Sequence, residues 1–318
     1  MSDKAIEVTN LTKRFGEFTA VDQINFTVKA GEIFGFLGAN GAGKSTTIRM
    51  LCGLLLPTSG SAKVGGFDIR TQTEQVKLNI GYMSQRFSLY DDLTVEQNIR
   101  FYGGVYGLKN SRLQQRMEWV LKMADLKGRE DSLTKTLSGG WKQRLALGCA
   151  ILHQPKIVFL DEPTGGVDPI SRRNFWELIN QLSSEGITVL VTTHFLDEAE
   201  YCNDIILINA GKLIASGSPV ELKTDHVKNP ILEVSGLDER IVEALEIIRT
   251  KPWALETTVF GTSLHVMVKD EEEGARLITQ VLDEMDISVQ DIQRIVPSLE
   301  DVFLYLLDKT KDESIKSV

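Results

Sequence analysis

Residues 38 to 46 read Gly38-Ala39-Asn40-Gly41-Ala42-Gly43-Lys44-Ser45-Thr46, the spacing Gly-x-x-x-x-Gly-Lys-Ser. Glycines so placed let backbone N–H groups gather around a nucleotide's phosphates, while Lys44 reaches the β/γ oxygens and the Ser45 hydroxyl can ligate Mg²⁺. Gly38, Asn40, Gly41, Gly43, Lys44, Ser45 and Thr46 are therefore candidate nucleotide-binding residues. A second constellation is Ile157-Val158-Phe159-Leu160-Asp161-Glu162. An apolar strand ending in Asp161 presents a carboxylate where Mg²⁺ needs hard oxygen ligands. The next side chain, Glu162, can polarise or deprotonate a water in line with the γ-phosphorus. A phosphate loop alone fits kinases, GTPases and many ATPases, and this carboxylate pair points to hydrolysis.

Particular elements must lie beneath these residues. Glu32 to Leu37 is an apolar run of strand length, and Ser45 to Leu51 continues as a helix whose positive N-terminal dipole would face the phosphates. That context weighs against the plain alternative, a glycine loop that merely turns the chain. The runs at 156–160 and 187–191 are apolar without alternation, as strands buried on both faces are. With a hairpin candidate at 205–214, they make residues 1–220 an α/β domain. Between about 87 and 153 the texture turns helical. Thr94 and Gln97 stand at capping-box spacing, and Leu113, Met117, Val120, Leu121 and Ala124 recur at helical spacing, so a helical insert is expected there.

A break at Gly217-Ser218-Pro219 precedes segments ordered βαββαβ, which predict a small α+β domain over 221–308, a ferredoxin-like split βαβ sandwich. The acidic run Asp270 to Glu273 suits a helix N-terminus. A last helix opens at Ser298 and Asp301, spaced as a capping box. It carries an apolar face of Leu299, Val302, Phe303, Leu306 and Leu307, which closes the small domain's core or meets a partner. Residues 309–318 read as a polar tail.

At 318 residues the chain suits one large and one small domain. A net charge of −9 argues against nucleic acid as the main partner, because phosphate-backbone binding needs clustered Lys and Arg. No apolar run approaches the roughly 18 residues of a membrane-spanning helix, and Met1 to Lys4 opens no signal peptide, so a cytosolic chain is expected. Cys52, Cys149 and Cys202 lack paired or metal-like spacing and read as buried free thiols.

Leu137-Ser138-Gly139-Gly140-Trp141-Lys142-Gln143-Arg144 is similar to the signature sequence of the ATP-binding cassette family. Small residues there let N–H groups and the Ser138 hydroxyl approach a phosphate at a helix start. The resemblance covers about residues 5 to 220 and implies a P-loop ATPase domain with a mixed sheet core, an N-terminal antiparallel β part and a helical insert. It implies that Ser138, Gly139 and Gly140 complete the ATP site of a second cassette, in a homodimer or heterodimer. It implies that Phe15 stacks on adenine, although an aromatic at that place also fits a core or edge role. Gln85 corresponds to a residue touching Mg²⁺ and the attacking water, Asp168 to the loop crossing the dimer interface, and His194 to a γ-phosphate contact. His194 also ends a strand-like run, where ligands of open α/β sheets bind. His153, His226 and His265 match nothing and read as structural or solvent-facing. Trp141 and Gly165-Gly166 depart from the commoner family residues, which bears on coupling rather than catalysis.

The C-terminal part resembles that of bacterial drug-exporter cassettes. The expectation is therefore an Mg²⁺- and ATP-dependent subunit on the cytoplasmic face of a bacterial membrane. It would drive a separate permease that exports drugs or other small amphipathic molecules, and the contact would lie at Phe87 to Tyr106, whose aromatics also fit a core. Competing readings are a soluble cassette ATPase acting on the ribosome or DNA, and a nucleotide-binding regulatory module without turnover.

Overall fold

The structure is a computed structural model that describes the backbone of residues 4–316, with the side chains of all of these except residues 238 and 308–316. In chain order the first part comprises β1 (Lys4–Phe15), β2 (Phe18–Lys29), β3 (Ile33–Leu37), α1 (Lys44–Leu51), β4 (Ser59–Val64), β5 (Phe67–Asp68), α2 (Thr73–Asn79) and β6 (Ile80–Met83). It continues with α3 (Val95–Val105), α4 (Asn110–Met123), α5 (Gly139–Ala150), β7 (Ile157–Asp161), α6 (Pro169–Ser184), β8 (Thr188–Thr193), β9 (Asp204–Asn209) and β10 (Lys212–Gly217). The chain divides into two compact units between Ser218 and Pro219.

Two sheets build the first unit. One is antiparallel, in the order β2-β1-β4-β5; the other runs β10-β9-β3-β8-β7-β6, parallel throughout except for the β9–β10 hairpin. β3, β7 and β8 are buried along their whole length, as uninterrupted apolar sequence requires. Phe26 of the antiparallel sheet stacks on Phe34 of β3 at 5.6 Å, and Ile48, Met50 and Leu51 of α1 join the same core. The parallel register places Leu37 beside Thr193, Asp161 beside Thr192, and Leu160 beside Met83. Four strands thus end together, and the residues following them share one rim.

The insert has its own core, made by Val95, Ile99, Val120, Leu121, Leu145 and Leu152. Its first helix starts as the spacing predicts: Thr94 Oγ1 accepts from Gln97 N and Gln97 Oε1 accepts from Thr94 N. Gly148 lets α5 approach α4, since a Cβ there would stand 2.4 Å from Val120 Cγ1. Buried Asn98 ties the segment after Gln85 to the one before the signature. It accepts from Tyr90 N at 2.9 Å and donates to Tyr90 O and, at 2.9 Å, to Thr134 Oγ1.

The second unit holds α7 (Pro219–His226), β11 (Ile231–Ser235), α8 (Ile241–Ile248), β12 (Ala254–Phe260), β13 (Ser263–Val268), α9 (Glu271–Glu284), β14 (Asp291–Ile295) and α10 (Leu299–Lys316). From β11 onward the order is βαββαβ, and the sheet β12-β13-β11-β14 is antiparallel throughout. Asp270 caps α9 by accepting from Glu273 N. Ser298 and Asp301 cap α10 reciprocally, Leu299, Val302 and Leu306 are buried, and α10 lies against α7. His265 of β13 is buried with its Nδ1 2.9 Å from Asp301 Oδ1. The expected polar tail differs from the structure: residues 309–316 continue α10, a stretch of helix-tolerant residues without Gly or Pro, while 317 and 318 lie outside the described residues.

Candidate functional site

The glycine loop leaves β3 and turns into α1 under steric compulsion. A Cβ on Gly38 would meet Ile208 O at 2.2 Å, and one on Gly43, at φ 109°, would meet Ala20 O at 2.5 Å. Gly41 has open space around it but sits at φ 82°, a left-handed conformation that only glycine adopts cheaply. The loop delivers Lys44, Ser45 and Thr46 at the first turn of α1, where unpaired N–H groups and the helix dipole favour an anion. Lys44 Nζ lies folded against the loop, donating to Gly38 O at 2.8 Å and Ala39 O at 3.2 Å.

The strand ends bring the carboxylates to the same rim. Asp161 Oδ1 accepts from Ser45 Oγ at 2.9 Å and from Thr192 Oγ1 at 2.8 Å. One residue on, the Glu162 carboxylate is approached from three sides. Lys44 Nζ is 3.2 Å from Oε1, Gln85 Nε2 donates to Oε2 at 3.0 Å, and His194 Nδ1 is 3.4 Å from Oε2. Burial at 9% exposure strengthens these interactions relative to water. Lys44, Ser45, Gln85, Asp161, Glu162 and His194 thus form one cluster, assembled from the ends of β3, β6, β7 and β8.

An open cleft leads from Lys44, Ser45 and Thr46 to Phe15. Phe15 is 50% exposed, so it is not a core aromatic. Phe18, at 63% exposure, lines the same cleft and pairs with Phe15 across the tight turn at Gly16. Phe18 and Thr192 carry no local sequence signal: the first needs the hairpin register, the second the β7–β8 register.

Ser138, Gly139, Gly140 and Asp168 stand apart. Among the described residues, no hydrogen bond or ion pair joins them to Lys44, Asp161 or Glu162. Ser138 caps α5, its hydroxyl accepting from Trp141 N at 3.4 Å, and Trp141 packs on the insert core beneath the Arg129 guanidinium, 3.9 Å from its ring centre. Asp168 caps α6 by accepting from Ser171 N at 2.9 Å, a bond that holds its carboxyl below the usual range. Gly140 packs so close to α6 that a Cβ would stand 2.5 Å from Ser171 Oγ. A buried bond from Gln143 Nε2 to Pro163 O, at 2.7 Å, fastens α5 to the segment just after Glu162.

Known proteins resemble this chain in both sequence and fold. The profile described as "ABC transporter" matches residues 21–165. Over 235 residues the chain is 52% identical to a probable multidrug ABC transporter ATP-binding protein, YbhF, of Escherichia coli (strain K12). That alignment covers 73% of this chain and 41% of the relative, so the chain spans about two fifths of that protein. The linearmycin resistance ATP-binding protein LnrL of Bacillus subtilis (strain 168) is 36% identical over 311 residues, covering 96% of this chain and 99% of the relative. A solved ATP-binding subunit of an ABC transporter superposes with a TM-score of 0.63 at 30% identity, covering 70% of this chain and 92% of that one.

Proposed function

This chain belongs to the ABC transporter family, and from that premise we propose that it binds and hydrolyses ATP to drive a separate membrane permease in the direction of export. The observation that carries the reading is the convergence of Lys44, Gln85 and His194 on the Glu162 carboxylate beside the Ser45–Asp161 pair.

The residues divide the work by position. Lys44 exchanges its two loop carbonyls for the β/γ oxygens of the nucleotide, and the N–H groups of the loop and of α1 hold the phosphates. Phe15 and Phe18 offer ring faces to the adenine. Ser45 and Asp161 are hard oxygen donors already within 2.9 Å of each other, with Gln85 adjacent, which fits Mg²⁺. When bound, the ion neutralises charge on the β and γ oxygens. Glu162 accepts the proton of the attacking water, while Gln85 and His194 hold its carboxylate in place.

The separation of Ser138, Gly139, Gly140 and Asp168 from this cluster supports a composite arrangement. They complete the site of a second cassette, in a homodimer or a heterodimer. ATP favours the closed pair and hydrolysis releases it. None of the described helices is long and apolar enough to cross a membrane; passage of the cargo is assigned to a separate permease. The exposed, edge-to-face pair Tyr90 and Phe101, close in sequence to Gln85, is the surface assigned to that contact on the cytoplasmic face. The names of the relatives support small drug-like molecules as cargo. Residues 1–220 are the ATPase domain, with the insert at 87–153, and 221–308 a small α+β domain.

Co-expression with a candidate permease, followed by detergent extraction, tests the reading. ATP turnover stimulated by the permease supports it, whereas stable association with ribosomes in place of membranes refutes it.

A further inference from the structure

We infer that Arg172 is a positioning residue for His194, acting through the ring of Phe195 and anchored by Glu198. The inference rests on the hydrolytic roles proposed above for Glu162 and His194. Arg172 lies in the first turn of α6, its N–H donating to Asp168 O at 2.9 Å. Its guanidinium carbon sits 4.1 Å from the centre of the Phe195 ring. That ring lies against the His194 imidazole, with centres 4.1 Å apart and planes tilted by 35°. His194 in turn stands 3.4 Å from Glu162. A continuous series of contacts thus runs from α6 to the carboxylate that faces the water.

The far side of Arg172 explains why the guanidinium holds its place. Its Nε is 3.5 Å from Glu198 Oε1, and one Nη is 3.8 Å from the exposed Asp197. Glu198 is fully buried, yet neither of its carboxylate oxygens, nor Arg172 Nε, has a hydrogen-bond partner. A buried carboxylate without hydrogen bonds is costly, and a pair joined by charge alone adds little to stability. What the pair secures is geometry. A planar guanidinium can lie flat on an aromatic ring while its edge faces a carboxylate, which an ammonium cannot do. The Phe195 backbone is fixed separately, its N–H donating to Thr193 Oγ1 at 2.9 Å, so Arg172 governs the ring and, through it, the tilt of the imidazole. Because α6 is capped by Asp168, the residue assigned to the cassette interface, Arg172 also links that interface to His194.

The test is a double-mutant cycle on the full chain, read by steady-state ATPase kinetics and by binding of a fluorescent ATP analogue. Arg172→Gln is expected to lower kcat about 10- to 100-fold with KM and nucleotide affinity within about 2-fold, because a misoriented group costs turnover rather than binding. Arg172→Lys is expected to recover only part of the loss. In a His194→Ala background, Arg172→Gln is expected to cost less than about 2-fold more, since residues acting through one another are non-additive. Multiplied defects overturn the inference, as does wild-type turnover in Arg172→Gln when His194→Ala is impaired. If His194→Ala turns over at the wild-type rate, the role given to His194 fails, and any loss in Arg172→Gln then has another cause. Glu198→Gln keeps the side-chain volume and is the second probe should Arg172→Gln melt early. The same kcat loss and non-additivity support the anchor, and unchanged turnover overturns it.

Discussion

The backbone N–H of Glu162 donates to Thr192 Oγ1 at 2.9 Å while Glu162 itself sits at φ 47°. A left-handed conformation costs a non-glycine residue about 1–2 kcal/mol, and here the neighbouring strand β8 holds it in place. The same hydroxyl donates to Asp161 Oδ1, so one buried threonine orients both Asp161, the proposed metal-facing carboxylate, and Glu162, the proposed water-facing one. Thr192→Val, which keeps the shape and removes both bonds, is expected to lower kcat about 10-fold or more and to destabilise the domain by about 1–3 kcal/mol. Thr192→Ser should restore most of the activity. Thermal melts alongside ATPase assays check both effects, and full turnover in the valine variant would count against this role.

Glu162→Gln removes the proposed base while sparing the residues proposed to contact phosphate. Hydrolysis should fall about 10²- to 10⁴-fold with ATP binding retained, and ATP-bound dimer should accumulate. Steady-state rates and size-exclusion chromatography with ATP are the measurements, and unchanged ATPase activity refutes the assignment.

Gly43→Ala forces a Cβ to within 2.5 Å of Ala20 O at a φ that alanine disfavours. The loop has to shift, and nucleotide affinity should drop at least about 10-fold, corresponding to the roughly 1–2 kcal/mol of backbone strain. Equilibrium binding of a fluorescent ATP analogue decides it. Wild-type affinity would mean that the loop conformation does not select the ligand.

If both rings in the cleft serve the base, Phe15→Ala and Phe18→Ala should each weaken ATP binding about 5- to 10-fold, as base–aromatic stacking of about 1 kcal/mol or more predicts. Inorganic triphosphate, which has no base, should bind both variants as it binds the parent. Competition titrations separate the two cases, and equal losses for ATP and triphosphate would assign the rings to the loop's architecture instead.

Burial pushes the His153 imidazole down from 6.5 to about 4, and the positive charge of Arg116 adds to the effect against the opposing pull of the Ile80 carbonyl. The fold therefore favours the neutral ring, which stacks on Tyr106 at 3.8 Å. The unfolded chain takes up a proton here more readily than the folded one. The stability this ring contributes is thus complete above about pH 6.5 and is lost as the pH falls toward 4. His153→Phe should flatten the dependence of the melting temperature on pH in that window, and an unchanged slope would place the titration elsewhere.

Legibility in the sequence followed how local each feature is. The glycine loop, the Asp161–Glu162 pair and the capping pairs at Thr94 and Ser298 depend on spacings of a few residues, and the structure shows them in the elements those spacings imply. Thr192, Phe18 and Asn98 act through strand register or helix packing, and nothing in their immediate neighbours marks them out. Arg172 and Glu198 are harder still, because their pairing needs the start of α6 folded against the turn after β8. The last helix outran its apolar pattern because its charged run, free of Gly and Pro, is made of helix-tolerant residues.

The bond from Gln143 to Pro163 O has a consequence at the level of the assembled pair. Within one subunit it joins α5, the helix proposed to serve its neighbour's nucleotide, to the segment that follows Glu162, the proposed general base. In the proposed dimer, therefore, the two reaction centres are not independent engines. Occupancy of one is then expected to change the affinity of the other, and by linkage the influence would run equally in both directions.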